Sequence, residues 1–289
     1  MTQRSTLAFV SLLLVTAGAS AQDDPAPPDL LEHATRDLEF RLVAGVWLPR
    51  AGGSTMLGAG AAPFDIDADA GIDSLEASPN VEFTIGRRER WALTFSGFDF
   101  STDGTGPYTG PATSFGAATL TPGTTVRGSL DLASYGVDLA FAYWRPFATA
   151  RANVTAERRF VTDLRISPVV GVRWIDVDLS LTDAGATTGS GAGEWLGLYA
   201  GLQADFQYRP EGAVPWLDMF EIEAGAGFGP ALGGDGGSMW QVRAGVTWHV
   251  TPNVGAMLGY RLLELDVEDQ DFTFDAGLQG LFLAASIRF

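Results

Sequence analysis

Asp275 to Phe289 reads DAGLQGLFLAASIRF. Counting back by twos from Phe289 meets Ile287, Ala285, Leu283 and Leu281, all apolar. The alternate positions, Arg288, Ser286, Ala284, Phe282 and Gly280, are mostly small or polar. A strict period of two describes a strand with two unlike faces. A soluble sandwich also uses such strands, so the rest of the chain decides whether the apolar face meets a core or lipid.

The same alternation recurs along the chain. Leu38, Phe40, Leu42, Ala44, Val46 and Leu48 alternate with Glu39, Arg41, Val43 and Gly45. Later sets run Leu196 to Tyr208, Phe220 to Phe228, Trp240 to Val250 and Val254 to Leu262. Together they predict about ten strands. The pattern changes phase near Ala133 and again at Ile175, and a period-two pattern shifts phase through a bulge or a break. Long polar connections are expected at 50–78, 101–123, 182–193, 229–238 and 268–274. Short turns are expected at 87–90, 210–215 and 251–253. The stretch 145–163 is the one longer connection among the short ones, with a helical turn expected around 148–158. Outward aromatics Trp91, Tyr143, Tyr208, Trp248 and Phe289 fall beside the short turns or at the terminus, as in an interfacial girdle.

Composition fits a membrane wall built of strands. Hydrophobic residues make up 46% of the chain, yet after the N-terminal segment no apolar run approaches the roughly 20 residues that a helix needs to span a bilayer. Residues 1–21 combine a basic Arg4, an apolar run from Leu7 to Thr16 and a small-residue Ala19-Ser20-Ala21 site, which reads as a cleavable signal peptide. Residues 22–36, with Pro25, Pro27 and Pro28, read as a periplasmic lead-in, and residues 37–289 as the barrel. The chain has no Cys, which excludes disulfides, thiolate metal sites and a cysteine nucleophile. Its net charge of −17 excludes nucleic acid as a partner.

The expected fold is therefore all-β: a single antiparallel transmembrane up-and-down barrel with both termini periplasmic. Segment Gly171-Val-Arg-Trp-Ile-Asp-Val-Asp-Leu179 echoes Gly259-Tyr-Arg-Leu-Leu-Glu-Leu-Asp-Val267. Each runs from small and basic inward positions to an acidic end. With the terminal Arg-Phe strand, this pattern resembles the small Gram-negative outer-membrane barrels grouped near OmpA and OmpW. The resemblance implies fold and a place in the outer membrane, with its lipids, lipopolysaccharide and barrel-assembly machinery as partners, and implies no activity. In that reading Leu281, Leu283, Ala285, Ile287 and Phe289 form the assembly signal.

Candidate chemistry is sparse. Of two histidines, His33 falls in the lead-in and His249 faces inward beside the 251–253 turn, so no hydrolase-type base is placed at the opposite rim. The chain is expected not to be an enzyme and to carry no cofactor. The one metal candidate is Asp65-Ile-Asp67-Ala-Asp69-Ala-Gly71-Ile-Asp73-Ser-Leu-Glu76. Asp65, Asp67, Asp69, Asp73 and Glu76 occupy positions one, three, five, nine and twelve of a calcium loop, but Ala70 stands where that loop needs Gly. Inside the barrel, a turn centred on Pro252 places Arg243 opposite Arg261. Two like charges there call for counter-charges, which Glu221 and Glu223 supply from the preceding strand. The expected role is structural or surface-interacting, with a polar, largely plugged lumen. A narrow passive channel for small solutes is the alternative, and an outer-membrane hydrolase a distant third.

Overall fold

In the computed structural model, the described residues are 38–58, 61–87, 90–141, 144–146, 160–210 and 216–289. The expectations for residues 1–36, Tyr143 and a helical turn at 148–158 fall outside them. Ten long strands form the wall: β1 (Leu38–Leu57), β3 (Ser78–Arg87), β4 (Trp91–Pro107), β7 (Thr125–Phe141), β8 (Phe160–Thr182), β9 (Thr188–Pro210), β10 (Met219–Leu232), β11 (Gly236–His249), β12 (Val254–Asp269) and β13 (Phe272–Arg288). Each pairs antiparallel with its chain neighbour, and β13 returns to pair with β1, from Arg41 opposite Arg288 to Leu57 opposite Phe272. The barrel closes, and no edge is left over. Phe289 completes the seam: its N–H donates to the Phe40 carbonyl at 3.0 Å. A two-residue strand β2 (Phe64–Asp65) and a one-turn helix α1 (Ile66–Ala70) follow β1, and a small hairpin, β5 (Thr113–Phe115) with β6 (Ala118–Leu120), lies between β4 and β7.

The wall has two storeys, and their chemistry is inverted. In the storey nearer Leu38 and Phe289, outward positions are apolar and exposed, such as Val81, Phe95, Leu202, Ile222, Leu258, Leu281 and Leu283, while charged groups point inward. On β9 this outward apolar run lasts from Leu196 to Tyr208. That is roughly 40 Å along the strand, or about 30 Å along the barrel axis at a tilt near 40°, close to the apolar band of a membrane barrel. Beyond it, outward positions turn polar: Asp99, Ser101 and Asp103 on β4, Asp176 and Asp178 on β8, Glu264, Asp266 and Glu268 on β12. Inward positions turn apolar. Trp47, Phe98, Phe100, Leu130, Leu132, Ile175, Val177, Trp195, Leu263, Leu265, Phe272 and Phe274 are buried in one continuous core. The far storey is built like a soluble barrel on top of a membrane barrel.

This inversion corrects the expected breaks near Ala133 and Ile175. The ladder is continuous there: Ala133 pairs with Asp99 and Asp176, and Ile175 with Ser134 and Trp195. Inward positions keep one parity along β7, from Val126 to Ala140. What changes at these points is the medium on each side of the wall, not the strand. Tyr135 and Trp174, stacked at 5.8 Å on the outer face, mark the boundary. Three of the expected long connections are also shorter than expected. The strands extend past the membrane and turn tightly between Thr182 and Thr188, Leu232 and Gly236, and Asp269 and Phe272. Just past the second of these, β11 runs close against β12: a Cβ on Gly237 would stand 2.1 Å from the Asp266 carbonyl oxygen.

β3 is short, so the upper wall between β1 and β4 is filled by the 61–77 segment. Ile66, Ala70 and Ile72 enter the apolar core, and Phe64 stacks on Tyr108 at 5.8 Å. Gly104 allows the contact, since a Cβ there would lie 2.4 Å from the Gly71 carbonyl oxygen.

Candidate functional site: the charged lower lumen

Inward positions of the membrane storey carry the charge. Glu223 accepts from Arg41 and stands 3.9 Å from Arg243. Glu221 accepts from Arg288 and from Gln207 Nε2 at 3.0 Å, with Arg41 at 3.9 Å and His249 Nε2 at 3.4 Å. Arg243 donates to Glu82 and lies 5.2 Å over the Phe282 ring. Asp138 accepts from the Tyr199 hydroxyl. Glu82, Glu221, Glu223, Arg173, Arg261 and His249 are all buried. Burying a charge is costly unless it is paired and hydrogen-bonded, as Glu82, Glu221 and Glu223 are.

Arg243 and Arg261 face each other directly in the β11–β12 register, and Glu223, opposite Gly245, is one diagonal step from Arg243. Arg261 itself reaches neither glutamate. Its guanidinium donates to Asn80 Oδ1 at 3.2 Å and lies against the rings of Phe98 and Trp47, at 4.8 and 5.4 Å. The charge cluster expected from sequence omitted Arg41, Glu82, Arg173 and Arg288. All four occupy inward parity positions, the signal by which they could have been found.

A cavity of about 400 Å³ occupies this storey. Pro252, Asn253, Arg288 and Phe289 line it at the end where the chain termini of the barrel lie, and Arg173, Tyr199 and Arg261 line its inner limit. Above them sits the apolar core, in which Trp47, Leu130 and Leu263 have no solvent exposure. The lumen is therefore blind.

The acidic stretch after β1 is arranged differently from a calcium loop. Asp65 caps α1, accepting from Ala68 N at 3.0 Å. Its hydrogen bond with Asp67, aided by the one from Ala68 N, holds Asp65 below the usual carboxylate range, and the same Asp65–Asp67 hydrogen bond raises Asp67. Asp69 is buried and accepts from Thr109 N at 2.9 Å and Thr109 Oγ1 at 2.7 Å. Asp67 and Asp73 face Arg50 at 3.8 and 3.6 Å, and Glu76 accepts from Ser74 Oγ at 3.2 Å. The left-handed residue is Gly71, at φ 64°, which ends the helical turn instead of bending a ligand loop. The five carboxylates do not converge, and among the described residues no three His, Asp or Glu side chains are grouped to hold a metal ion.

A closed antiparallel barrel, apolar outside and charged inside over one membrane thickness, defines the class: an outer-membrane β-barrel, located in that membrane. Solved structures of similar shape include Ail, the attachment invasion locus protein of Yersinia pestis, at 12% identity and TM-score 0.34, covering 87% of this chain and 98% of that one. The transport unit of the Escherichia coli autotransporter AIDA-I shares 12% identity at TM-score 0.33, covering 90% and 92%. The Pseudomonas putida toluene transporter TodX shares 9% at TM-score 0.27, covering 89% and 91%. No family model and no curated protein matches the chain.

Proposed function

We propose that this protein is a non-conducting outer-membrane barrel whose far storey is a rigid platform for interactions at the membrane surface. The observation that carries this reading is the apolar core that fills the far storey across its whole section, from Trp47 and Phe98 on one side to Trp195, Leu263 and Phe274 on the other. A hydrated path for ions needs polar lining and open width, and this plug offers neither. The same core makes the far storey stiff: it is held by packed side chains and continuous ladders, not by long loops.

The outer wall of the platform is acidic. Asp131 faces Asp178, Asp176 faces Glu194 and Asp266 faces Asp275 directly across strands. Directly opposed like charges are unfavourable alone. Divalent cations shared with lipopolysaccharide phosphates relieve them, so lipopolysaccharide is the surface partner this reading favours. No catalytic step is assigned: His249, beside the 251–253 turn, is engaged by Glu221 at 3.4 Å.

A narrow channel is the second reading, favoured by the polar lower lumen. Single-channel recording on the refolded protein in planar bilayers decides between them. Silence across the voltage range supports the platform; steady unitary conductance refutes it.

A further inference from the structure

The blind lumen has a feature that plugging does not require. Its lining carries eight Arg against six Asp and Glu, in a chain whose net charge is −17. Nearly half of the 18 basic residues thus gather in one cavity. Low-dielectric walls focus such an excess on whatever enters.

The excess is sharpest at the roof. Arg173 is buried, and its guanidinium meets only neutral groups within hydrogen-bond distance, Ser134 Oγ at 3.3 Å and Ser96 Oγ at 3.2 Å. Its Nε has no hydrogen-bond partner among the described residues. Arg261, also buried, has one hydrogen bond, to the Asn80 amide, and two aromatic faces. Among the described residues neither forms an ion pair. Glu82 and Asp138 lie within electrostatic reach of both but outside ion-pair distance, and they accept from Arg243 and from the Tyr199 hydroxyl instead. Arg173 and Arg261 sit at equivalent places in the two echoing segments of β8 and β12, four strands apart around a ten-strand wall, and each lies within the other's electrostatic reach. Gly136, opposite Arg173 in the ladder, keeps room for the guanidinium: a Cβ there would be 3.1 Å from its Cζ and Nη2.

We propose that the lower lumen is a binding site for a small oxyanion, a carboxylate or a phosphate, entering from the end where Phe289 lies and held at the roof by Arg173 and Arg261. Guanidinium groups have the planar, multi-donor geometry that carboxylate and phosphate oxygens match. A buried cation without a carboxylate partner is costly, and a bound anion removes that cost. The volume of about 400 Å³ suits a small organic anion. This inference goes beyond the platform role and stands or falls separately from it, because binding is read without conductance.

The test is isothermal calorimetry on the full, refolded protein in detergent, titrated with inorganic phosphate and, separately, with citrate, against chloride at matched ionic strength. The expected result is saturable binding of at least one oxyanion, weakened at least about tenfold in Arg173→Gln. Should Arg173→Gln fail to assemble, Arg261→Gln and Gly136→Ala serve in its place, the second by crowding the Arg173 head group. Arg50→Gln, on the outer wall of the far storey, is expected to leave binding unchanged. Phosphate binding alone or citrate binding alone each support the site and tell which oxyanion geometry it prefers. Two results overturn it: heats that grow without saturation for both anions, which is general salt exclusion, or saturable binding that the roof substitutions leave unchanged.

Discussion

Trp47→Ala probes the inversion between the storeys. Trp47 faces inward on β1 with no solvent exposure, at the junction of charged lumen and apolar core. Its ring meets Phe98 edge-on at 4.8 Å, its Nε1 donates to the Gly280 carbonyl at 3.2 Å, and Arg261 lies over its face at 5.4 Å. Truncating a fully buried Trp to Ala costs about 3–5 kcal/mol, the larger values where the surroundings do not collapse. The ladder to β13 runs on through the Trp47–Phe282 pair, while the ladder to β3 ends at Trp47 and Ser78, so collapse is restrained on one side and the middle of that range is expected. About 1 kcal/mol of it is the contact with Arg261. The substitution enlarges the cavity without opening a path, because Phe100, Leu132, Leu263 and Leu265 still fill the section above. Urea titration of the protein refolding into lipid vesicles measures the first quantity, and bilayer recording the second. A loss below about 1 kcal/mol, or the appearance of steady conductance, refutes the description of a packed apolar plug above a blind lumen.

Glu223→Gln weakens the ion pair with Arg41 and leaves Arg243 with Glu82 alone, so thermal stability is expected to fall by about 2 kcal/mol, the scale of a hydrogen bond to a charged group; an unchanged melting curve contradicts the cluster. Deleting Phe289 removes the pair of backbone hydrogen bonds with Phe40 that ends the seam. The heat-modifiable, membrane-inserted fraction on gels is expected to drop, and normal assembly would show that the seam closes without it. Calcium calorimetry is expected to give no saturable heat that Glu76→Gln abolishes, since Glu76 and Asp69 are turned to different partners; a Glu76-dependent site would reverse this. Asp183, in the turn after β8, accepts from Thr187 N at 2.9 Å and Thr119 N at 3.1 Å, and these bonds hold it below its ordinary value of 3.8. A depressed folded value means its contribution is full above the ordinary value and is lost as pH falls through the lower, folded one. Asp183→Asn is therefore expected to remove a step in hairpin order below about pH 4, read by NMR titration of the Thr187 and Thr119 amides.

The sequence by itself determined the wall. Period-two alternation marks the strands, and parity separates Arg41, Glu82, Arg173 and Arg288 from the lipid-facing set, because side chains on a strand have only two directions to take. The tight turn at Pro252 determined that Arg243 faces Arg261, because a short hairpin fixes register locally. Three things required the closed barrel. Arg41 on β1 finds Glu223 on β10, and Arg243 on β11 finds Glu82 on β3, across the lumen, a pairing set by barrel circumference and tilt with no trace in local spacing. The reversals at Ala133 and Ile175 look like breaks in a linear reading, since alternation reports which side is apolar and not which side is inside. Only the continuous ladder shows that the strands leave the membrane there and exchange a lipid-facing apolar side for an inward one. The acidic run at 65–76 carries calcium-like spacing, but the space left above the short β3 draws Ile66, Ala70 and Ile72 into the core, and that packing turns the carboxylates apart.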